Sequence, residues 1–333
     1  MKRGRTTNAI GVFTTFYWGL LVLTALLLLP AQPLRCWGFW GHQRINRMAV
    51  FSLPEELLPL YKDQLEFITQ HAVDPDKRRY SNPKEAPRHY IDLDHYGKAP
   101  YNNLPRSWKA AVAKYGEDSL NAYGIVPWQV TKVLYALTEA FRKKDKKAIL
   151  HLSADLGHYV ADAHVPLHTT ENYNGQLTGQ NGIHGFWESR IPESFGESYD
   201  YFTGTAVYLE KPLTKIWSII LESNAAKDSV LAFEAELNAT FSPDQKYSFE
   251  TRGSMSVKVY SAAYTKAYNE KLNGMVERRL RQSIIDVASF WYTAWVNAGQ
   301  PDVRHLNESS NFQEEKTSAM DSIRLQRIKG HAE

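Results

Sequence analysis

The chain has 333 residues, of which 43% are hydrophobic and 23% charged, so it can bury a large core and is not a disordered polymer. Its formal net charge is +3, but four basic residues, Lys2, Arg3, Arg5 and Arg35, lie in the first 36 positions. Without them 35 basic residues face 36 acidic ones, and a net charge of about −1 gives no support to a broad nucleic-acid-binding surface. The single cysteine, Cys36, leaves packing or metal binding, rather than disulfides, to stabilise an exported protein.

The first 36 residues have the organisation of an export signal. Basic residues precede an apolar run from Ala9 to Leu29, and Pro30 and Pro33 then break the run. We therefore predict a signal peptide over residues 1–36 and an exported protein, periplasmic or extracellular. The run is also long enough to span a bilayer, so an uncleaved membrane anchor is the alternative.

Most of the remaining chain has helical periodicity. Its apolar spacing predicts long helices over 127–145, 146–164, 212–240 and 256–299, with loops over 75–107 and 168–182. Only 199–210 has a strand-like composition, and nothing around it would build a sheet. We therefore predict an all-α fold with one multi-helix domain over 37–299 and a polar, disordered tail over 300–333.

Two histidine–carboxylate pairs have the spacing of one helical turn. His158 and Asp162 share a helix face, Pro166 then ends the helix, and His168 can turn back towards them. His184 and Glu188 repeat the spacing. Counting His151 and Asp155, three such pairs occur where about 1.2 are expected by chance, so a solvated or buried structural pair stays an alternative for each.

Two further candidate ligands lie in the loop-rich region. Asp74 is part of an Asp-Pro turn signal, and His89 precedes Tyr90. Together with the helical pairs they form a set of imidazoles and carboxylates without a thiol. Such a set suits zinc, and it also suits manganese or iron.

The order of these residues resembles the zinc-dependent phospholipase C superfamily, an all-helical fold shared with the single-strand-specific zinc nucleases of moulds. The resemblance covers about residues 37 to 299, where W-G-F-W-G-H at 37–42 would be the start of the mature chain. Nine positions match the family's ligands in order: Trp37, His42, Asp74, His89, His158, Asp162, His168, His184 and Glu188.

The resemblance implies a cluster of three Zn²⁺ ions. Asp74, His89, His158 and Asp162 would hold the first, and His168, His184 and Glu188 the third. The second would be bound by His42, by the bridging Asp162, and by the amine and carbonyl of Trp37. Asp162 and Asp74 would be the catalytic residues, with Asp74 orienting the attacking water. His151 and Asp155 would be supporting residues, and His164 a core or pocket residue.

The implied reaction is hydrolysis of a phosphodiester. Glu188 and the segment over 140–173 resemble the phospholipase branch, which favours a phospholipid head group, with contact at a membrane surface, over single-stranded nucleic acid. The short spacing from Trp37 to His42 resembles the nuclease branch, in which aromatic side chains stack on bases. Candidate aromatics are Tyr80, Tyr90, Tyr101, Tyr173 and Phe186. A non-catalytic helical protein stapled by zinc is a further alternative.

Overall fold

Helices make up nearly all the regular structure in the computed structural model, which describes residues 38–252, 255–304 and 306. The predicted signal peptide, Trp37 and most of the predicted tail therefore lie outside the described residues. The α-helices are α1 Gly38–Val50, α2 Leu58–Asp63, α3 Leu65–His71, α4 Asp74–Arg79, α5 Trp108–Tyr115, α6 Glu117–Tyr123, α7 Val126–Arg142, α8 Lys146–Ala163, α9 Ile183–Gly185, α10 Ile191–Phe195, α11 Pro212–Asn238, α12 Pro243–Lys246, α13 Ala262–Lys271 and α14 Met275–Asn297.

Short helical turns add to these α-helices. Four are 3₁₀ turns, at Ala86–Arg88, Leu93–Tyr96, Pro166–Thr169 and Gly196–Ser198, and one is a π-helical turn at Phe186–Arg190. The described residues all lie within one compact unit of the chain, as predicted for an all-α, multi-helix domain. Among these residues, no helix has the length and apolar character needed to cross a membrane.

Helix α8 is the central element of the fold. It packs against α7, α14, α3 and α1, and most of its side chains are buried, including the polar Ser153, His158 and Asp162. The Asp145 carboxylate caps its first turn by accepting from the Ala148 amide, and the helix ends before Pro166, which disfavours helical backbone at the preceding residue. The prediction of a helix over 146–164 is confirmed.

The predicted helix over 256–299 was wrong at its start and in its middle. Residues 256–260 belong to an antiparallel hairpin of β1 (Tyr247–Arg252) and β2 (Met255–Tyr260), where Val257 and Val259 alternate with more polar residues. The helical part begins in α13 and is interrupted at Asn273 and Gly274, whose positive φ angles of 48° and 71° are incompatible with a right-handed helix.

Two other parts of the prediction have clear outcomes. The segment over 199–210 forms no strand, as predicted, and side chains of α14 satisfy part of its backbone: the Val207 amide donates to Ser289 Oγ and the Leu209 amide to Thr293 Oγ1. The loop predicted over 75–107 contains most of α4, because Asp74–Arg79 is helical.

Gly157 allows α1 and α8 to approach closely. A Cβ at Gly157 would lie 2.1 Å from Asn46 Oδ1, and Asn46 is held in place because its Nδ2 donates to the Ala154 carbonyl at 3.1 Å.

We therefore expect Gly157→Ala to lower the free energy of unfolding by about 1–3 kcal/mol, as overpacked cores do, measured by urea denaturation. Gly185→Ala is the control: apart from its own helical turn, no part of the chain comes within 4 Å of its added Cβ, so stability should be unchanged or higher. A Gly157→Ala protein as stable as the wild type would contradict this account of the α1–α8 contact.

Candidate metal centre

One face of α8 carries a buried histidine and a buried aspartate. His158 Nε2 lies 3.1 Å from Asp162 Oδ2, one helical turn further on. His89 follows the 3₁₀ turn Ala86–Arg88, and its Nδ1 lies 2.9 Å from Asp162 Oδ2 and 3.0 Å from His158 Nε2. Asp76 of α4 adds a second carboxylate, with Oδ1 at 3.7 Å from both His89 Nδ1 and His158 Nε2. We call Asp76, His89, His158 and Asp162 the first group.

The other oxygen of Asp162 faces α1. His42 Nε2 lies 3.5 Å from Asp162 Oδ1, and the His42 ring stacks on His158 with ring centroids 3.8 Å apart. We call His42 and Asp162 Oδ1, with His158 beside them, the second group. One carboxylate therefore points its two oxygens at two different sets of imidazole nitrogens, which is the arrangement a bridging ligand requires.

A third group lies next to these two. His168 Nε2 and His184 Nε2 are 3.0 Å apart, and Glu188 Oε2 lies 3.5 Å from the former and 3.1 Å from the latter. His168 is presented by the 3₁₀ turn that follows α8. Glu188 lies in the π-helical turn Phe186–Arg190, an irregularity that is frequent at functional sites.

Backbone carbonyls fix the orientation of two of the imidazoles. His158 Nδ1 donates to the Ala72 carbonyl and His168 Nδ1 donates to the His89 carbonyl, each at 2.9 Å. A neutral ring whose Nδ1 carries the proton presents a lone pair at Nε2. In both residues that lone pair points at carboxylate oxygens, which also only accept. Such a contact is repulsive unless a cation or a proton lies between the two atoms.

Several buried polar atoms of these groups have no hydrogen-bond partner among the described residues. They are both ring nitrogens of His42, both carboxylate oxygens of Asp76, Asp162 Oδ1, His89 Nε2 and Glu188 Oε2. Leaving one such group unpaired costs about 1–3 kcal/mol, and charged groups cost more. Their concentration at one place, when buried polar groups are normally paired, indicates a missing cationic partner.

The spacing of the donor atoms fits zinc. Tetrahedral zinc, bonded to nitrogen and oxygen at about 2.0–2.1 Å, holds its ligand atoms roughly 3.3 Å apart. The separations in the third group, 3.0, 3.1 and 3.5 Å, and those in the first group, 2.9 to 3.7 Å, scatter around that value. The three groups can therefore hold metal ions.

The surrounding imidazoles keep two of the carboxylates, Asp162 and Glu188, ionised. Burial raises the pKa of Asp162, but His158 and the other imidazoles outweigh burial and hold that pKa well below its usual range. Burial likewise raises the pKa of Glu188, but His184 and His168 lower it to about 2. Burial lowers the pKa of His89, whereas the nearby carboxylates of Asp162 and Glu85 raise it to about 9. A metal ion at His89 Nδ1 would thus displace a proton.

The aspartate that joins the first group is Asp76, and the expectation for Asp74 is not met by the geometry. Residues 74 and 76 begin α4, and side chains two positions apart on a helix point in different directions. Asp76 is buried beside His89 and His158, while Asp74 lies beside His71 and accepts from Lys77 Nζ at 3.0 Å. The two aspartates are the first and third residues of the sequence D-P-D, and the start of α4 at Asp74 determines that their side chains point in different directions.

A second layer of charges surrounds His89. Glu85 Oε1 lies 3.7 Å from His89 Nε2, and the Glu85 carboxylate accepts from Tyr159 and from Arg88 Nη1. Arg78 joins this layer to α8 by a bidentate pair with Asp155, at 3.1 and 2.7 Å. Asp155, for which a supporting role is expected, therefore contacts this layer through Arg78. Sequence analysis missed Glu85, although it stands one helical turn before His89.

The remaining predicted positions have plain outcomes. Trp37 lies outside the described residues. The structure brings together seven of the predicted ligands: His42, His89, His158, Asp162, His168, His184 and Glu188. Gly38, which follows Trp37, donates its amide to Ser189 Oγ at 3.0 Å, so the described chain begins beside Glu188. His164 is a core residue, buried with its Nε2 3.2 Å from Asp286 Oδ2.

A large cleft elsewhere in the fold is a separate feature. It has a volume of about 1260 Å³ and is lined by residues of α5, α6 and α7, including Trp108, Trp128 and Tyr135. None of the residues of the three groups lines it. We therefore identify the candidate functional site by the chemistry of the three groups and not by the size of a cleft.

Solved structures with a similar fold include two clostridial toxins. No protein-family model matches the chain, and no curated protein matches it. Alpha-toxin of Clostridium perfringens, isolated from avian strain SWCP, is 14% identical with a TM-score of 0.47, and the match covers 79% of this chain and 65% of that one. Alpha-toxin of Clostridium absonum is 12% identical with a TM-score of 0.45, with the same two coverages. The chain thus spans just under two thirds of the length of these toxins.

Proposed function

We propose that this chain is an exported hydrolase that cleaves phosphate ester bonds with three zinc ions, as a phospholipase C does. The observation that carries the proposal is Asp162, a fully buried carboxylate whose two oxygens face two separate sets of imidazoles, with a third histidine–carboxylate group beside it. The order of these residues along the chain, and their resemblance to the zinc-dependent phospholipases, support the same assignment.

Each ion would have its own set of ligands. The first zinc would be bound by Asp76, His89, His158 and Asp162, so that Asp76 takes the position that the sequence analysis gave to Asp74. His42 and Asp162 would hold the second, together with the amine and carbonyl of Trp37. His168, His184 and Glu188 would hold the third. The hydrogen bond from Gly38 to Ser189 supports the part played by Trp37, because it fixes the adjacent backbone next to Glu188.

The chain's own residues would prepare the reaction. Bound zinc lowers the pKa of water from 15.7 towards about 7 and polarises phosphoryl oxygens. Asp76 has a free oxygen, since Oδ1 faces the imidazoles and Oδ2 has no partner among the described residues, so it can orient an attacking water and take its proton. Glu85 would hold the ring of His89 from behind.

The ligand count favours catalysis over a purely structural role. A structural zinc site is normally closed by four protein ligands, whereas a catalytic site keeps one position for water or substrate. The third group supplies only three protein donors, His168, His184 and Glu188, among the described residues. We therefore favour a hydrolase over a helical protein that zinc merely staples.

A phospholipid head group is the favoured substrate, and single-stranded nucleic acid is the alternative. A nuclease of this kind needs exposed aromatic rings on which bases can stack. Of the five candidate aromatics, Tyr90, Tyr101, Tyr173 and Phe186 are buried, and only Tyr80 is exposed, at 67%. The net charge of about −1 for residues 37–333 also provides no general attraction for a polyanion.

The metal ligands can be tested by substitution. We expect Asp162→Asn to deplete two of the three zinc ions and Asp76→Asn to deplete one, measured by plasma mass spectrometry after gel filtration into zinc-free buffer. Hydrolysis of a chromogenic phosphodiester should fall at least about 100-fold in both, because loss of an outer-shell partner alone costs about 10–100-fold.

Each of these substitutions has a matched control, which is another aspartate of the same helix. Asp74→Asn should keep all three tightly bound ions, because Asp74 points away from the first group. Asp155→Asn should keep them too and lower only the melting temperature, because Asp155 pairs with Arg78. A loss of zinc from Asp74→Asn as large as that from Asp76→Asn would contradict the assignment of Asp76.

The amino terminus is tested by a one-residue extension. A chain beginning at Trp37 should bind three zinc ions, whereas the same chain preceded by alanine should bind two, because an amide nitrogen cannot replace the amine. The α-amino group has a pKa of about 7.7–8.0, so occupancy of that site should rise with pH over this range. Equal zinc content in the two chains would remove Trp37 from the ligand set.

The substrate class is tested by parallel assays. With equal enzyme, pH and zinc, we expect micelles of a phosphatidyl lipid to be hydrolysed at least about tenfold faster per enzyme than single-stranded DNA, a difference of about 1.4 kcal/mol in transition-state stabilisation. His168→Ala should abolish both activities and so excludes a contaminating enzyme. Faster cleavage of DNA would overturn the phospholipase assignment and favour the nuclease.

A further inference from the structure

A second cluster of donors lies outside the metal centre. His71 ends α3, Asp74 begins α4 and His151 lies in the first half of α8, and their ligand atoms all lie within 4.8 Å of one another. His151 is seven residues before His158, so about 10 Å along the helix separates it from the first group. We call these three residues the peripheral cluster.

The peripheral cluster is held in place from two sides. Phe67 stacks on the His71 ring with centroids 4.0 Å apart and meets the His151 ring edge-on at 4.9 Å. On the other side, Lys77 Nζ donates to Asp74 Oδ1 at 3.0 Å, which leaves Oδ2 directed at His71 Nδ1. A packed ring and a hydrogen-bonded carboxylate are the kind of support that orients metal ligands.

An ion pair between His71 and Asp74 would explain only part of this geometry. That pair needs one imidazole, yet a second imidazole from another helix reaches the same point, with its ring centroid 5.2 Å from that of His71. The side chains are partly accessible, His71 at 33% and Asp74 at 20%, so an ion can reach them from solvent. Two imidazoles and one carboxylate suit a divalent transition metal such as zinc, and do not suit Mg²⁺ or Ca²⁺, which prefer oxygen ligands.

We propose that His71, Asp74 and His151 form a peripheral binding site for a divalent transition metal of the zinc type, separate from the three buried groups. Its three protein donors leave the remaining positions to water, so the ion binds more weakly than those in the buried centre. An ion there ties the start of α4 to α8. Because α4 carries Asp76 and α8 carries His158 and Asp162, the peripheral ion stabilises the backbone around the first group. The proposal does not depend on the activity proposed above.

The test counts zinc ions in the whole purified protein at equilibrium with excess Zn²⁺. The variants are His71→Gln and His151→Gln, with His95→Gln as the matched control. His95 is also a partly buried histidine that stacks on an aromatic ring, Tyr123 at 3.7 Å, and pairs with a carboxylate, Glu171 at 3.1 Å. The peripheral cluster has a second imidazole in addition, and no described group of potential metal ligands includes His95.

We expect the wild type and His95→Gln to bind one zinc more than His71→Gln and His151→Gln, measured by equilibrium dialysis and plasma mass spectrometry. Zn²⁺ should also raise the melting temperature of the wild type further than that of either variant of the cluster. Equal zinc counts in all four proteins would overturn the proposal. If the buried centre bound fewer ions than proposed, every count would fall together and the difference of one would persist.

A measurement on the wild type does not depend on how the variants fold. Diethyl pyrocarbonate should modify His71, His95 and His151 in chelator-treated protein, followed by peptide mass spectrometry. Saturating Zn²⁺ should protect His71 and His151 at least about tenfold while leaving His95 reactive, because a metal-bound imidazole nitrogen is not free to react. Unchanged modification of His71 and His151 would overturn the proposal.

Discussion

The charge of Asp162 is the constraint on which the site is built. A carboxylate with no solvent exposure is costly unless every lone pair finds a positive or donating partner. Asp162 Oδ2 faces His89 and His158, and Oδ1 faces His42. His42 belongs to α1, His158 belongs to α8, and His89 follows the 3₁₀ turn Ala86–Arg88. These elements must meet at one point for the aspartate to remain buried.

The same constraint explains why the central helix has a polar interior. Helix α8 is surrounded by other helices, and a purely apolar helix would satisfy the packing. It buries His158 and Asp162 instead. The carbonyls of Ala72 and His89 accept hydrogen bonds from the rings of His158 and His168, so that the Nε2 atoms of these rings face carboxylates. Cations between these nitrogens and oxygens would stabilise the arrangement, so metal binding would be coupled to folding. The layer of Glu85, Arg78 and Asp155 extends the network of compensating charges outward.

The candidate site was predictable where the helical period alone decides which side chains meet. The spacings of His158 to Asp162 and of His184 to Glu188 place each pair on one face, and the structure keeps both pairs together. The choice between Asp74 and Asp76 was not predictable in this way, because it depends on the residue at which α4 begins. The hairpin over 247–260 was missed for a related reason: Val257 and Val259 fit a strand or a short helix, and cross-strand pairing selected the strand.

By itself the sequence determined the helical character of the chain and most of the candidate metal ligands, because helical periodicity and ligand spacing are local properties of neighbouring residues. It also determined which residue types were available as metal ligands. Only the tertiary structure decided that Asp76 and not Asp74 joins His89, that Glu85 stands behind that histidine, and that four of the five candidate aromatics are buried. These outcomes depend on contacts between segments far apart in the chain, where packing and the compensation of buried charge select one arrangement among many that local spacing allows.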